Sequence, residues 1–209
     1  MGFYDNLFNA LVTLLVTIDP PGLAPLFLAL TTGMDRQERG QVAMRASIIA
    51  FGVLTLFAVA GAQILGIFGI TIGAFRVAGG LLLFWIAFEM IFERRHERHE
   101  KSAKVAITRD HIRNIAAFPL AIPLIAGPGA ISATILLGGS FYDTASRLVL
   151  ILIILACIVL SYLVFLLAER VDGFLGETGR SILTRLLGVI LAALAVQFVA
   201  DGIKALVTG

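Results

Sequence analysis

The polar residues of this chain gather at the edges of long apolar stretches. Residues 46–75 carry no charge between Arg45 and Arg76. A bilayer core about 30 Å thick takes roughly 20 residues of helix, so this run is too long for one span. The Gly-rich GIFGITIG near its end predicts a tight turn, with a second helix running on to residue 92. Residues 114–142 are again uncharged, and 148–168 form the most uniformly apolar run. In residues 6–33 Asp19 is the one charged interruption, and 184–207 make the last stretch. The pattern predicts six transmembrane helices, near 6–33, 44–67, 72–92, 114–140, 147–168 and 184–207.

Composition agrees. Of 209 residues, 59% are hydrophobic and 14% charged, with a mean hydropathy of +0.98. Soluble domains carry about 25% charged residues, so the lipid bilayer is the expected solvent. The net charge is +2, and no basic patch interleaves with aromatics, which sets nucleic acid aside. Cys157 is the single cysteine, so no intrachain disulfide can form. The opening MGFYDNLF lacks the basic segment of a cleaved leader.

Charge also orients the spans. The two termini and the 2–3 and 4–5 connections hold Arg76, Arg147 and Lys204, and the other thirteen Lys and Arg fall on the opposite side. That side is expected to be cytoplasmic, with both termini outside. The 3–4 connection, residues 93–113, is a basic cytoplasmic loop holding His96, His99 and His111. A metal site at His96 and His99 is conceivable there; the plainer reading is a solvated positive-inside linker, and no metal or cofactor is expected.

All six prolines fall in two spans, Pro20, Pro21 and Pro25 in the first and Pro119, Pro123 and Pro128 in the fourth. Pro21-Gly22 recurs as Pro128-Gly129, and Arg76-Val-Ala-Gly79 recurs as Arg185-Leu-Leu-Gly188 at a nearly equal offset. Matching offsets at both ends of a three-helix unit indicate an internal repeat. Three is odd, so the second copy must lie upside down. The expected fold is all-α and membrane-embedded: one domain of six helices, built as inverted three-helix repeats over 1–92 and 114–209, with helices 1 and 4 broken.

Proline removes an amide donor and its ring collides with the carbonyl one turn back. In hydrocarbon the freed groups need protein or a wet cavity to receive them. Asp19 is expected to N-cap a half-helix whose first turn holds Pro20 and Pro21, with Gly22 leaving the backbone approachable. In span 4, Gly127 is expected to make a left-handed stop, Pro128 to restart the helix, and Gly129 and Ala130 to keep it bare. Two such breaks facing each other would enclose a polar pocket. Membrane helices also accommodate Pro and Gly as plain kinks, and the glycines of span 3 read as close helix packing. Arg76 and Arg185, at the entrances of spans 3 and 6, read as snorkelling anchors or vestibule gates, and Glu89 and Asp201 are expected to reach the interfaces. No catalytic triad or zinc motif is present at depth, so an enzyme is not expected.

Four segments then carry a resemblance: DPPGLAPLFLALT, FRVAGGLLLFWIAFEMI, PLAIPLIAGPGAISATILL and RLLGVILAALAVQFVADGI. In these residues, in this order and over essentially the whole chain, the sequence resembles the MarC family of bacterial membrane proteins. The family is named for multiple antibiotic resistance and also described as neutral amino acid transporters. The resemblance implies a multi-pass inner-membrane protein that carries small zwitterions such as glycine or alanine by alternating access. A carboxylate would suit amides near Gly22 or Gly129–Ala130, and an ammonium would suit Asp19 or free carbonyls. Ser132 and Thr134 could add hydroxyl contacts; Ala133 stands where the family pattern leads one to expect a hydroxyl. Asp19 is the candidate for a coupling H+ or Na+, against a silent role as helix cap. The alternative is a non-transporting assembly partner or sensor, and a homo-oligomer is left open.

Overall fold

A computed structural model describes residues 3–92, 115–139, 141 and 143–208. The basic loop 93–113, with its three histidines, lies outside the described residues. Among the described residues, eight helical segments follow one another: α1 (Phe3–Ile18), α2 (Pro20–Leu30), α3 (Arg36–Ile67), α4 (Ile72–Ile91), α5 (Ala116–Ile125), α6 (Pro128–Gly138), α7 (Thr144–Leu166) and α8 (Ala168–Thr208). The segments α1 and α2 form one apolar span of 26 residues, and α5 and α6 form a pair bent by 56°. With α3, α4, α7 and the Ser181–Val207 part of α8, these make the six expected spans.

Two helices start earlier than their apolar runs. Asp35 accepts from the Glu38 amide at 2.8 Å, and the Glu38 carboxylate accepts from the Asp35 amide at 3.0 Å. This capping box satisfies two donors that the first turn would otherwise leave open. It begins α3 at Arg36 rather than 44, and 32 residues reach about 48 Å, well beyond a bilayer core. Similarly, α8 begins at Ala168 and turns at Gly176, whose φ of 59° suits glycine, before its apolar part. Apolar runs mark where lipid is, and capped polar turns continue a helix past it. The turn predicted between spans 2 and 3 is present. Gly69 takes φ 67°, and Thr71 accepts from the Ala74 amide at 3.1 Å to start α4. At the head of α7, the Ser146 hydroxyl and amide hold the Asp143 carboxyl below its usual range.

The broken spans lie inside. Of the first span's apolar window, 67% is buried, against 22% for α3 and for the last span. Most of α5 and α6 is buried as well. The unbroken helices surround them and turn large apolar side chains outward, among them Leu56 on α3, Trp85 on α4, Leu152 on α7 and Val189 on α8. Exchanging the two halves carries three of the larger helix contacts onto one another. The contact of α1 with α7 corresponds to that of α5 with α3, α2–α7 to α6–α3, and α4–α6 to α8–α2. This is compatible with the expected inverted repeat.

The most extensive contact joins α4 to α8. They run antiparallel, with Gly73 against Leu206, Gly80 against Val199 and Gly188 against Met90. Small residues let membrane helices approach this closely, because dispersion rather than water exclusion holds them. A methyl on Gly80 would lie 2.7 Å from a Val199 methyl and 2.9 Å from the Ala195 carbonyl, and one on Gly202 2.8 Å from the Val77 amide. A methyl on Gly52 meets nothing within 4 Å. Alanine otherwise favours a helix over glycine by about 1 kcal/mol. Thermal unfolding in detergent should therefore show opposite signs: Gly80→Ala and Gly202→Ala lower the midpoint, Gly52→Ala leaves it unchanged or raises it.

Candidate functional site

The first break is one residue long. Asp19 sits at φ 56°, ψ 62°, left-handed and 3% exposed, near the middle of its span. Its backbone still donates to Leu15 and accepts from Leu23, so the hydrogen-bond ladder continues across it. As expected, its carboxylate caps α2, accepting from the Gly22 amide at 3.2 Å, and Pro20 and Pro21 fill positions that need no donor. Gly22 has a different role from the one expected. Its missing side chain makes room for the Asp19 carboxylate itself, which covers the start of α2. That helix end is closed by its own cap.

The second break is wider. Phe118 and Ile122 are extended, each ahead of a proline joined by a cis peptide bond, so α5 is not a regular helix. The residue before a proline is driven out of the helical region, and two such prolines four apart open the coil. The Ala126 amide reaches back five residues to Ala121. Gly127 does not make the expected left-handed stop; it is extended, at φ −79°, ψ 171°. It is glycine because the Pro123 carbonyl lies where a Cβ would be. Pro128 restarts the chain as α6, as expected, and no side chain caps this helix. The two half-helices after the breaks, α2 and α6, are both 11 residues long.

The breaks meet, but the pocket expected between them is filled. Gly129 lies under the Ile86 side chain, and a methyl there would be 3.2 Å from the Thr17 methyl. Ala130, Ser132 and Thr134 are buried along the same helix, whereas Pro128 is exposed. The Thr134 hydroxyl donates to the Ala130 carbonyl at 2.7 Å, so it serves its own helix rather than an open site.

A feature overlooked in the sequence leads to this meeting point. Asn6, Asn9, Thr13 and Thr17 recur at spacings of three and four, one stripe of an otherwise apolar helix. Thr13 is fully buried and donates to the Asn9 side chain at 2.9 Å; Thr17 donates to the Thr13 carbonyl. The signal was a helical period of polar residues, which a search for prolines does not detect.

Cavities open at the two ends of the bundle. One, of about 660 Å³, lies where α2, α3, α7 and α8 meet, with Phe27, Arg36, Arg39 and Arg170 in its wall. Arg39 pairs there with Glu169. The other, about 70 Å³, is bounded by the starts of α1 and α4 and the end of α8. Neither is lined by Asp19, Gly22, Gly127 or Gly129. Asp201 is exposed, as expected. Glu89, near the end of α4, is 6% exposed and accepts from the Trp85 indole at 3.1 Å, one turn away.

Comparison with known proteins gives a consistent result. A family model described as MarC family integral membrane protein matches residues 4–207. A UPF0056 membrane protein of Archaeoglobus fulgidus is 37% identical over 203 residues, covering 97% of this chain and 94% of the relative. The UPF0056 membrane protein YvbG of Bacillus subtilis is 33% identical, covering 96% and 95%. One from Aquifex aeolicus is 35% identical, covering 94% and 91%. No solved structure matches.

Asp19 has two separable roles, a left-handed backbone and a cap. Asparagine fulfils both; alanine fulfils neither, at a cost of about 1–2 kcal/mol for the backbone and about 1 kcal/mol for the cap. Asp19→Ala should lower the unfolding midpoint by several degrees, and Asp19→Asn should stay near wild type.

Proposed function

Because the chain belongs to the MarC family of integral membrane proteins, we propose that it is a secondary transporter of small neutral amino acids, glycine or alanine in size. One observation carries this reading: two interrupted spans meet at the centre of the bundle, Thr17 of the first against Gly129 of the second. Interrupted helices in corresponding positions of two halves mark the binding region of many carriers. A buried mid-span acid such as Asp19 costs a few kcal/mol in lipid and is retained where it serves function. The cavities at either end give access from both sides.

In this reading the filled centre is an occluded state. Moving Ile86 off Gly129 opens the uncapped start of α6, whose Gly129 and Ala130 amides suit a carboxylate. Asp19 takes the ammonium or a coupling H+ or Na+. The basic end faces the cytoplasm, the termini face outward, and the membrane is the bacterial inner membrane.

A non-transporting assembly partner or sensor is the competing reading, and its contacts would centre on the basic loop. Deleting residues 93–113 should leave substrate response intact in a carrier and abolish function in a docking protein. The primary assay is counterflow of labelled glycine or alanine in proteoliposomes. Uptake above empty vesicles is expected. Asp19→Asn, folded as wild type, should lose gradient-driven accumulation while retaining exchange. An equal signal from protein-free vesicles would reject transport of these substrates.

A further inference from the structure

The smaller cavity has a composition that an anchoring arginine does not explain. Its polar wall is made of Asn6 and Asn9 from α1, Arg76 from α4, and Gln197 and Asp201 from α8. Arg76 and Asp201 face one space with opposite charges. They do not reach ion-pair distance of each other, and Arg76 makes no ion pair among the described residues. The stem of Arg76 lies against Gly202, where a methyl would come within 2.9 Å of its Cβ, so the tight α4–α8 contact sets its position beside Asp201. The Gln197 amide donates to Asp201 Oδ1 at 3.0 Å and orients the carboxylate.

Two opposite charges held apart across a small polar space match a ligand that carries both. A guanidinium presents a planar fork suited to a carboxylate. Asp201 Oδ2 suits an ammonium, and the amides of Asn6 and Asn9 add neutral donors and acceptors. A volume of about 70 Å³ admits a ligand of a few heavy atoms. From Asn9 the stripe of Thr13 and Thr17 runs inward to the meeting point of the breaks.

We propose that this cavity is the recognition site, at the membrane face bearing the N-terminus, for a small α-amino acid zwitterion, with Arg76 holding the carboxylate and Asp201 the ammonium. The inference rests on the transport reading and assigns it a first binding step outside the central breaks.

The test uses the full chain in lipid nanodiscs, titrated with glycine and alanine, and with acetate and methylamine as half-ligands. Glycine should bind, and each half-ligand should bind about 10- to 100-fold more weakly, since one charged hydrogen-bonding group is missing. Arg76→Gln and Asp201→Asn should each weaken glycine by a similar factor, while Arg147→Gln, a charge loss elsewhere on the same face, should not. Arg76→Lys keeps the charge and loses the fork; it should fall between, and it carries the test if Arg76→Gln does not fold. Wild-type affinity in the Arg76 and Asp201 variants, acetate binding as tight as glycine, or no glycine binding at all would overturn the site. Parallel flux measurements separate the two readings. Flux with unaltered variant affinities removes this site and leaves the carrier, and binding without flux supports the site and removes the carrier.

Discussion

In hydrocarbon no water receives a backbone amide or carbonyl, so every such group must find its partner within the protein. This constraint decides which spans lie inside. The unbroken helices satisfy their own backbones and can face lipid. The spans carrying six prolines cannot, and they occupy the interior. Each break is then repaired locally: the Asp19 carboxylate on the Gly22 amide, the Ala126 amide on the Ala121 carbonyl.

The repairs are unequal, and the difference has a physical basis. In the first span the prolines follow a capping acid and occupy the start of a helix, where no donor is missed, so one left-handed residue suffices. In the fourth, Pro119 and Pro123 fall inside the segment, push Phe118 and Ile122 into extended conformations, and widen the coil for ten residues. A pair of spans alike in sequence thus presents one closed helix end and one uncapped one. That asymmetry sets a buried acid at one break and a helix start without a side-chain cap at the other.

Around this centre, close helix contact holds the cage. Along α4 and α8, glycines at 73, 80, 188 and 202 let the backbones touch. The same contact fixes Arg76 beside Asp201, so the packing that holds the bundle also shapes its smaller cavity. At the opposite end, Arg39 and Glu169 tie the starts of α3 and α8 beside the larger cavity. Polar groups line the cavities at both ends of the bundle, and Ile86 covers Gly129 at its centre.

Much of this was legible in the residues. Hydropathy defined six spans, because burial in lipid is decided residue by residue over about 20 positions. Proline placement located both restarts, at Pro20 and Pro128, and the acid at position 19 identified its own cap. The starts of α3 and α8 lie ahead of the apolar runs because a helix leaves the bilayer without an apolar signal. The left-handed stop foreseen at Gly127 and the open start of α2 were not found. Each depended on what lay nearby: the Pro123 carbonyl and the Asp19 carboxylate folding back. The sequence by itself determined the spans, their breaks and their polar stripe, since these follow from local chemistry and a single solvent. Only the tertiary structure decided that the breaks meet at Thr17 and Gly129, that Ile86 fills the space over Gly129, and that Arg76 shares a cavity with Asp201. Those are contacts between residues tens to more than a hundred positions apart, set by how closely small residues allow whole helices to approach.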